Sequence, residues 1–510
     1  MKADDGYSKT DTTDAPMTLA KVSTSHIQAV TGTTFVATLS SLLFGYATAV
    51  ITGAVGAIDH NFIEPRHLQN SAADALLGLT VCSALVGTII GALIARPTAA
   101  LLGRKRPMIF AAVLFLVSAV GSAYPELGIA PVGSMGPEAI WAFNIYRMIG
   151  GVAVGVASMI APTYVGEFAP SAVRGQLGAY QQIAIIGGMT IAYFVNWGIS
   201  LQGDDQWVLQ IGWRWMMLSL SVPALAFFYL SFSVPESPSW LVKTGRVEQA
   251  RRQLARSGDP DEVRDMLKAL AETQPHEKHM PLLTFGWRVV LVGVALSVFQ
   301  QLVGINTVLY YGPSIFENMG YHMDAAFLGM LVASVVNLLS TMVVVLIVDK
   351  VGRKPLLIIG GLIMGLSMLA LGSLFHVHNT GMYGLIAICV YLAGFAISFG
   401  PIVWIMMTEI YPAPIRGQAM SIAVASQWIA NLSVSATFPL LLGNDSLNST
   451  WNHGFPFYIY GSFAILAAFI VMRYVPETRG VDSESLVALW RREDVAAAAG
   501  DTREARALQV

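Results

Sequence analysis

Val234-Pro235-Glu236-Ser237 (VPES) recurs with a single change as Val475-Pro476-Glu477-Thr478 (VPET), 241 residues further along the chain. A second pattern, Gly103-Arg104-Lys105, recurs as Gly352-Arg353-Lys354 after 249 residues. Because both matches fall near one offset in a chain of 510 residues, they indicate that the chain is built from two related halves.

A third repeat consists of charged residues. Glu167 lies seven residues before Arg174-Gly175, and Glu409 lies seven residues before Arg416-Gly417, at an offset of 242 residues. Three repeats near one offset predict two homologous halves, an arrangement typical of transporters that rock around a central binding site.

Composition predicts that both halves lie in a membrane. Of the 510 residues, 55% are hydrophobic and 12% are charged, with a mean hydropathy of +0.59, whereas about a quarter of the residues in a soluble domain are charged. The formal net charge of −2 gives no reason to expect a nucleic-acid partner. Cys82 and Cys389 lie in separate apolar runs and have neither metal-ligand nor redox spacing.

The predicted fold class is an all-α polytopic membrane protein with twelve transmembrane helices in two homologous six-helix halves. Each apolar run is near the length of about 20 residues that a bilayer requires. No run carries clustered histidines, a nucleophile with a paired base or a glycine-rich phosphate cradle, so neither an enzyme nor a cofactor is predicted. The spans are predicted at residues 30–58, 73–95, 108–124, 139–162, 176–199, 213–233, 285–313, 324–348, 355–375, 381–407, 417–442 and 455–473.

The distribution of Lys and Arg predicts the orientation. Basic residues follow spans two, six, eight and twelve, whereas the loops after spans three, seven, nine and eleven have none. Since cytoplasmic loops are enriched in Lys and Arg, both termini are predicted to be cytoplasmic. The predicted segments are a polar N-terminus without a signal peptide (1–29), a first half (30–233), a cytoplasmic linker (234–284), a second half (285–473) and a C-terminal tail (474–510). Within the linker, helical spacing of apolar residues predicts an amphipathic helix at Val263, Met266, Leu267 and Leu270.

The repeated charges lie at the predicted cytoplasmic ends of spans, where acids and bases from neighbouring helices can pair. A pair that forms in one conformation and breaks in another shifts an equilibrium between two states. The alternative is that basic residues only hold loops in the cytoplasm, but that rule does not account for repeated acids. A gating role is therefore predicted for Glu167, Arg174, Glu236, Arg353, Glu409, Arg416 and Glu477. Arg147, within span four, is predicted to belong to the same charge network.

Longer motifs carry a specific resemblance. They are Pro235-Glu236-Ser237-Pro238-Ser239-Trp240-Leu241, Gln300-Gln301-Leu302-Val303-Gly304-Ile305-Asn306 with Tyr310-Tyr311, Pro476-Glu477-Thr478-Arg479-Gly480, Arg147 with Gly150-Gly151, and Gly400-Pro401 to Trp404. From about residue 30 to 490 the chain resembles the sugar porter family of the major facilitator superfamily. Within that family it most resembles bacterial D-xylose–proton symporters and related glucose facilitators. The resemblance implies a monosaccharide transporter of the plasma (inner) membrane that functions as a monomer in the lipid bilayer.

The resemblance also implies a sugar site between the halves. Amides both donate and accept hydrogen bonds, as sugar hydroxyls do, and aromatic rings offer flat apolar faces. The alternative is that buried amides only hold helices together. Met189 departs from the pattern, because xylose symporters carry Gln there. The implied sugar-binding residues are Phe44, Gln182, Gln300, Gln301, Asn306, Tyr310, Asn337, Gly400, Trp404, Gln427 and Trp428.

Ala47 is the departure with the largest consequence. Proton-coupled members carry Asp at this position, close to the arginine that here is Arg147, and a titrating carboxylate is what couples protons to transport. Because alanine cannot titrate, facilitated uniport of sugar alone is favoured over symport of sugar with protons. Two alternatives stay open: a sugar–proton symporter, or a coupling-deficient variant of one, natural or engineered. A non-transporting sugar sensor is a further alternative from another functional class.

Overall fold

The computed structural model describes residues 24–168, 174–254 and 281–480, and within these ranges the chain is helical without any strand. Twelve long helices, α1–α12, account for most of it, and α6, α7 and α10 each consist of two pieces. Their bounds are α1 Thr24–Ala49, α2 Asn70–Leu102, α3 Lys105–Ala123, α4 Ala139–Phe168, α5 Arg174–Ser200, α6 Trp213–Ser219 and Ser221–Ser233, α7 Trp287–Leu302 and Ile305–Asn318, α8 Met323–Val351, α9 Arg353–His376, α10 Gly381–Ala396 and Phe399–Ile410, α11 Ala413–Leu442, and α12 Phe455–Tyr474.

Short helical segments connect the long ones. Two of them, Pro238–Lys243 and Val247–Leu254, follow α6 and begin the predicted linker. The others are Val50–Gly53, Val55–Ile58, Asp59–Ile63, Glu64–Arg66, Gly136–Glu138, Asp205–Trp207, Val208–Gly212, Leu282–Phe285 and Asp445–Trp451. The amphipathic helix predicted at Val263, Met266, Leu267 and Leu270 lies outside the described residues.

Eleven segments of the described chain are long and apolar enough to cross a membrane. The helix that is not among them is α11, which has 30 residues but includes Gln427, Asn431 and several serines that lower its hydropathy. Together the eleven apolar segments and α11 agree with the predicted twelve spans. Helices suit a bilayer because all their backbone hydrogen bonds are made within one segment.

Of the three divided spans, α7 and α10 have a non-helical residue at the break, whereas Leu220 between the pieces of α6 keeps helical dihedral angles. In α7 the break falls at Gly304, which has a left-handed backbone (φ +87°) and lies against the ring of Tyr460. In α10 the break falls at Ser398, whose φ and ψ are −133° and −98°. Gly304 divides the span predicted at 285–313 and places Gln300 and Asn306 on separate pieces.

The two halves contact each other along α2 with α11 and along α5 with α8. Gly78 lies against the backbone of Ala436, where a side chain would collide with the carbonyl oxygen. The Thr190 and Ser334 hydroxyls are 2.8 Å apart across the same interface. We call the end of the bundle that carries Gly103–Lys105 and Gly352–Lys354 the basic end, and the other the opposite end.

Candidate substrate site and charge networks

A narrow cavity lies inside the bundle where both halves meet. Phe44 and Ala47 of α1 and Arg147 of α4 line it from the first half, and Tyr310 of α7 and Trp428 of α11 line it from the second. The rings of Phe44 and Trp428 are 6.3 Å apart between centroids and tilted by 50°. Of the eleven predicted sugar-binding residues, three therefore line this cavity: Phe44, Tyr310 and Trp428.

Three predicted amides form a chain of hydrogen bonds that ends on α10. Asn306 Nδ2 donates to Gln301 Oε1 at 2.5 Å, and Gln301 Nε2 donates to Gln300 Oε1 at 3.5 Å. Gln300 Nε2 donates to the carbonyl oxygens of Phe399 at 2.7 Å and Gly400 at 3.1 Å. The chain therefore links the break in α7 to the first turn of the second piece of α10.

Two other predicted amides keep a free acceptor. Asn337 is 3% exposed and Gln427 is 5% exposed, and neither Asn337 Oδ1 nor Gln427 Oε1 receives a hydrogen bond. An unsatisfied buried acceptor costs about 1–3 kcal/mol. These oxygens can therefore accept hydrogen bonds from a ligand that carries hydroxyl groups. Gln182 on α5 and Trp404 on α10 are half-buried.

Arg147 is buried in the first third of α4 with little compensation. It is 4% exposed, and its Nη1 lies 3.5 Å from the carbonyl oxygen of Ala47. Its Nε has no hydrogen-bond partner. The structure thus places Arg147 beside Ala47, which has no carboxylate to pair with the guanidinium.

The first charge network joins the basic ends of α2, α3, α4 and α6. The Arg104 guanidinium contacts both carboxylate oxygens of Glu167, at 2.6 and 3.1 Å. Glu236, just after α6, accepts hydrogen bonds from the backbone nitrogens of Arg104 at 2.6 Å and Lys105 at 3.3 Å. A carboxylate at this place satisfies the unpaired amides at the start of α3 and interacts favourably with the helix dipole.

The second network repeats the first in the other half. Arg353 Nη2 lies 3.0 Å from Glu409 and 3.0 Å from Asp349. Glu477 accepts from the backbone nitrogens of Arg353 and Lys354, each at 3.0 Å. The Thr478 hydroxyl donates to Glu409. Among the described residues, the ion pairs of each network join residues of the same half: the first network lies in the first half and the second in the second half.

Among the described residues, the predicted members Arg147 and Arg416 lie outside these networks, and one member was missed. Arg416 Nε donates to the carbonyl oxygen of Tyr411 at 3.1 Å. The side chain of Arg174 lies outside the described residues. Arg104 was not among the predicted gating residues, although its equivalence to Arg353 in the repeated Gly-Arg-Lys pattern is the signal that could have found it.

Comparison with known proteins identifies the family. Residues 33–490 match the family described as "Sugar (and other) transporter". The chain is 43% identical to the D-xylose-proton symporter of Escherichia coli (strain K12), over 90% of this chain and 95% of that protein. It is 38% identical to the glucose facilitated diffusion protein of Zymomonas mobilis subsp. mobilis, over 91% of this chain and 98% of that protein.

The fold is similar to a solved structure of the xylose transporter XylE from E. coli in a partially occluded inward open conformation. The TM-score is 0.81 at 40% sequence identity, covering 89% of this chain and 100% of that chain. Family, sequence relatives and fold agree over nearly the same length. The chain is therefore a membrane sugar transporter that belongs to the sugar porter family of the major facilitator superfamily.

Proposed function

We propose that this protein equilibrates D-xylose or D-glucose across the membrane by facilitated uniport, through alternating access of a site between its halves. The relatives named for D-xylose and for glucose support this choice of sugars. The buried acceptor oxygens of Asn337 and Gln427 support a ligand rich in hydroxyl groups. The rings of Phe44 and Trp428 give the cavity apolar surfaces for the faces of a sugar ring.

The observation that carries uniport is the environment of Ala47. In the described part of the chain, the side chains lining the cavity include Arg147 but no carboxylate. Asp74, Glu167, Asp349 and Glu409 all lie near the ends of their helices. Since no carboxylate lines the cavity, no acid there can exchange a proton with both sides during a transport cycle.

The orientation and conformation follow from the two ends of the bundle. The basic end is proposed to face the cytoplasm of a cell whose plasma (inner) membrane holds the protein, with both termini on that side. The halves contact each other at the opposite end, through Thr190 with Ser334 and Gly78 with Ala436. These contacts support the proposal of an inward-facing state, and we propose that one monomer contains the whole site.

The test uses purified protein in liposomes with a pH-sensitive dye outside. Labelled xylose and glucose should show counterflow, whereas an imposed pH gradient should drive no accumulation and sugar addition should cause no alkalinisation. Sugar accumulation driven by the pH gradient would contradict uniport. Absence of counterflow with retained sugar binding would instead favour a non-transporting sensor.

A second candidate is a coupling-deficient form of a sugar–proton symporter, favoured by the position of Arg147 beside Ala47. Ala47→Asp distinguishes the two. In a former symporter, the restored carboxylate should bring back uptake driven by the pH gradient and sugar-dependent alkalinisation outside. In a uniporter, counterflow should persist without coupling, because the pKa of the new carboxyl would also have to suit the cycle.

A further inference from the structure

Arg147 is a charge without a counter-charge in the interior of the bundle. The side chain is 4% exposed and lies in the first third of the 30-residue helix α4. Among the described residues, none of the ion pairs involves it, and its Nε has no hydrogen-bond partner. A buried, unpaired ion is disfavoured by several kcal/mol, so the guanidinium should attract any anion that can reach it.

The residues around Arg147 do not neutralise it. The ionisable side chains that interact with it are Tyr310 and Cys82, and both are uncharged in their ordinary protonated forms. The carbonyl oxygen of Ala47 accepts a hydrogen bond from Nη1 alone, at 3.5 Å. A guanidinium has five N–H donors, so most of its donor capacity stays free.

The guanidinium also faces open space. Arg147 lines the cavity together with the small residues Ala47, Gly150 and Gly151. Phe44 and Trp428 line the same cavity, so an ion at Arg147 would lie next to the proposed sugar site. Thr48 and Thr88 donate their hydroxyls to carbonyls of their own helices, so Arg147 must supply the main donors.

We propose that Arg147 binds a small inorganic anion of the chloride class in this cavity, as the counter-ion that α1 does not provide. The link between this anion and sugar rests on the proposed function, whereas binding of the anion itself does not. Because a bound anion neutralises the guanidinium beside the sugar site, it should strengthen sugar binding. Binding of each ligand then favours binding of the other.

Chloride binding can be measured without sugar, from the excess line width of the chloride NMR signal on purified protein in detergent. The comparison buffer replaces chloride with the bulky sulfonate MES at equal ionic strength. The wild type should broaden the chloride line, and Arg147→Gln should not. Ala47→Asp should also lose the broadening, because its carboxylate would pair with the guanidinium and repel the anion. Arg106→Gln, which removes an exposed cation at the basic end, should keep it.

A wild-type line width equal to that of Arg147→Gln would overturn the proposal, as would full broadening by Ala47→Asp. The second variant keeps the test valid if Arg147→Gln does not fold. Displacement of chloride by D-glucuronate but not by xylose or glucose would assign the guanidinium to an acidic sugar and overturn the counter-ion role.

The sugar arm measures xylose and glucose affinity by calorimetry in chloride and in MES. The sugar affinity of the wild type should be at least about fivefold higher in chloride than in MES. The sugar affinity of Ala47→Asp should be the same in both buffers. Equal affinities in the wild type would overturn the link to sugar. Chloride binding in a protein that shows no sugar counterflow would support the anion site and reject the proposed transport function.

Discussion

At the residue scale, the buried amides of the second half serve two different purposes. Gln300, Gln301 and Asn306 are hydrogen-bonded to one another and to the backbone of α10. Asn337 and Gln427 instead hold acceptor oxygens that receive no hydrogen bond. Since a satisfied amide has less to gain from a ligand than an unsatisfied one, Asn337 and Gln427 are expected to contribute most to sugar affinity.

Asn337→Leu and Gln427→Leu test this expectation. Each should weaken xylose or glucose binding by about 1–3 kcal/mol, because a sugar hydroxyl loses its acceptor. Each should also leave the sugar-free protein as stable or slightly more stable, because an unsatisfied buried group is removed. Calorimetric titration and thermal unfolding measure the two effects. Asn318→Leu, at an exposed position, is the control, and unchanged affinity in both variants would remove these oxygens from the site.

At the scale of the helices, the breaks in α7 and α10 determine which groups meet. Gly304 ends the first piece of α7 with a left-handed backbone. Its break lets Gln301 and Asn306 bond to each other, and Gln300 then reaches the break in α10. A continuous α7 would not offer this arrangement, so Gly304 is expected to matter for both stability and sugar binding.

Gly304→Ala should destabilise the protein by more than about 1–2 kcal/mol, the usual cost of a left-handed backbone for a residue with Cβ. The added Cβ would also lie 2.6 Å from the ring of Tyr460. Gly187→Ala is the matched control, because its Cβ meets nothing within 4 Å on helix α5 and should be neutral or mildly stabilising. Equal melting temperatures for the two variants would show that α7 tolerates a continuous helix.

The charge networks also act at the scale of helices, because each fastens the basic ends of neighbouring helices within one half. Glu409→Gln and Glu167→Gln remove the charged partners of Arg353 and Arg104. Both should impair net transport in liposomes while sugar affinity stays within about tenfold, because conformational equilibria change and ligand contacts do not. Glu248→Gln, in an exposed pair with Arg252, should transport normally. Full transport by both network variants would remove these pairs from the mechanism.

At the scale of the whole molecule, transport requires that the contacts between the halves open. The Tyr193 hydroxyl donates to the carbonyl oxygen of Leu309 at 2.8 Å, and Thr190 lies beside Ser334. Neither contact is an ion pair, so the interface can separate without exposing buried charges. A covalent bond at this place should therefore hold the protein in one state.

The double variant Thr190→Cys with Ser334→Cys should form a disulfide, because the replaced hydroxyls are only 2.8 Å apart. Oxidation should abolish counterflow, and a reducing agent should restore it. Thr190→Cys alone controls for oxidation of the native Cys82 and Cys389 and should be insensitive. Transport that persists in the oxidised double variant would show that the halves need not part between α5 and α8.

The sequence by itself determined the class, the number of spans, the two halves and the family. Hydropathy and internal repetition are properties of the chain alone, and a bilayer leaves helices as the main way to satisfy the backbone. The arginines that form ion pairs at the basic end could also be identified from the sequence, since Arg104 and Arg353 occupy equivalent positions in a repeated motif.

Only the tertiary structure decided which polar groups satisfy each other. The hydrogen-bond chain from Asn306 to α10 depends on two helix breaks and joins the Gln300 side chain to backbone carbonyls about 100 residues away in sequence. The isolation of Arg147 likewise depends on every helix around the cavity. Hydrogen bonds and ion pairs act over a few ångströms, so their partners follow from the packing of distant segments and cannot be read from local sequence.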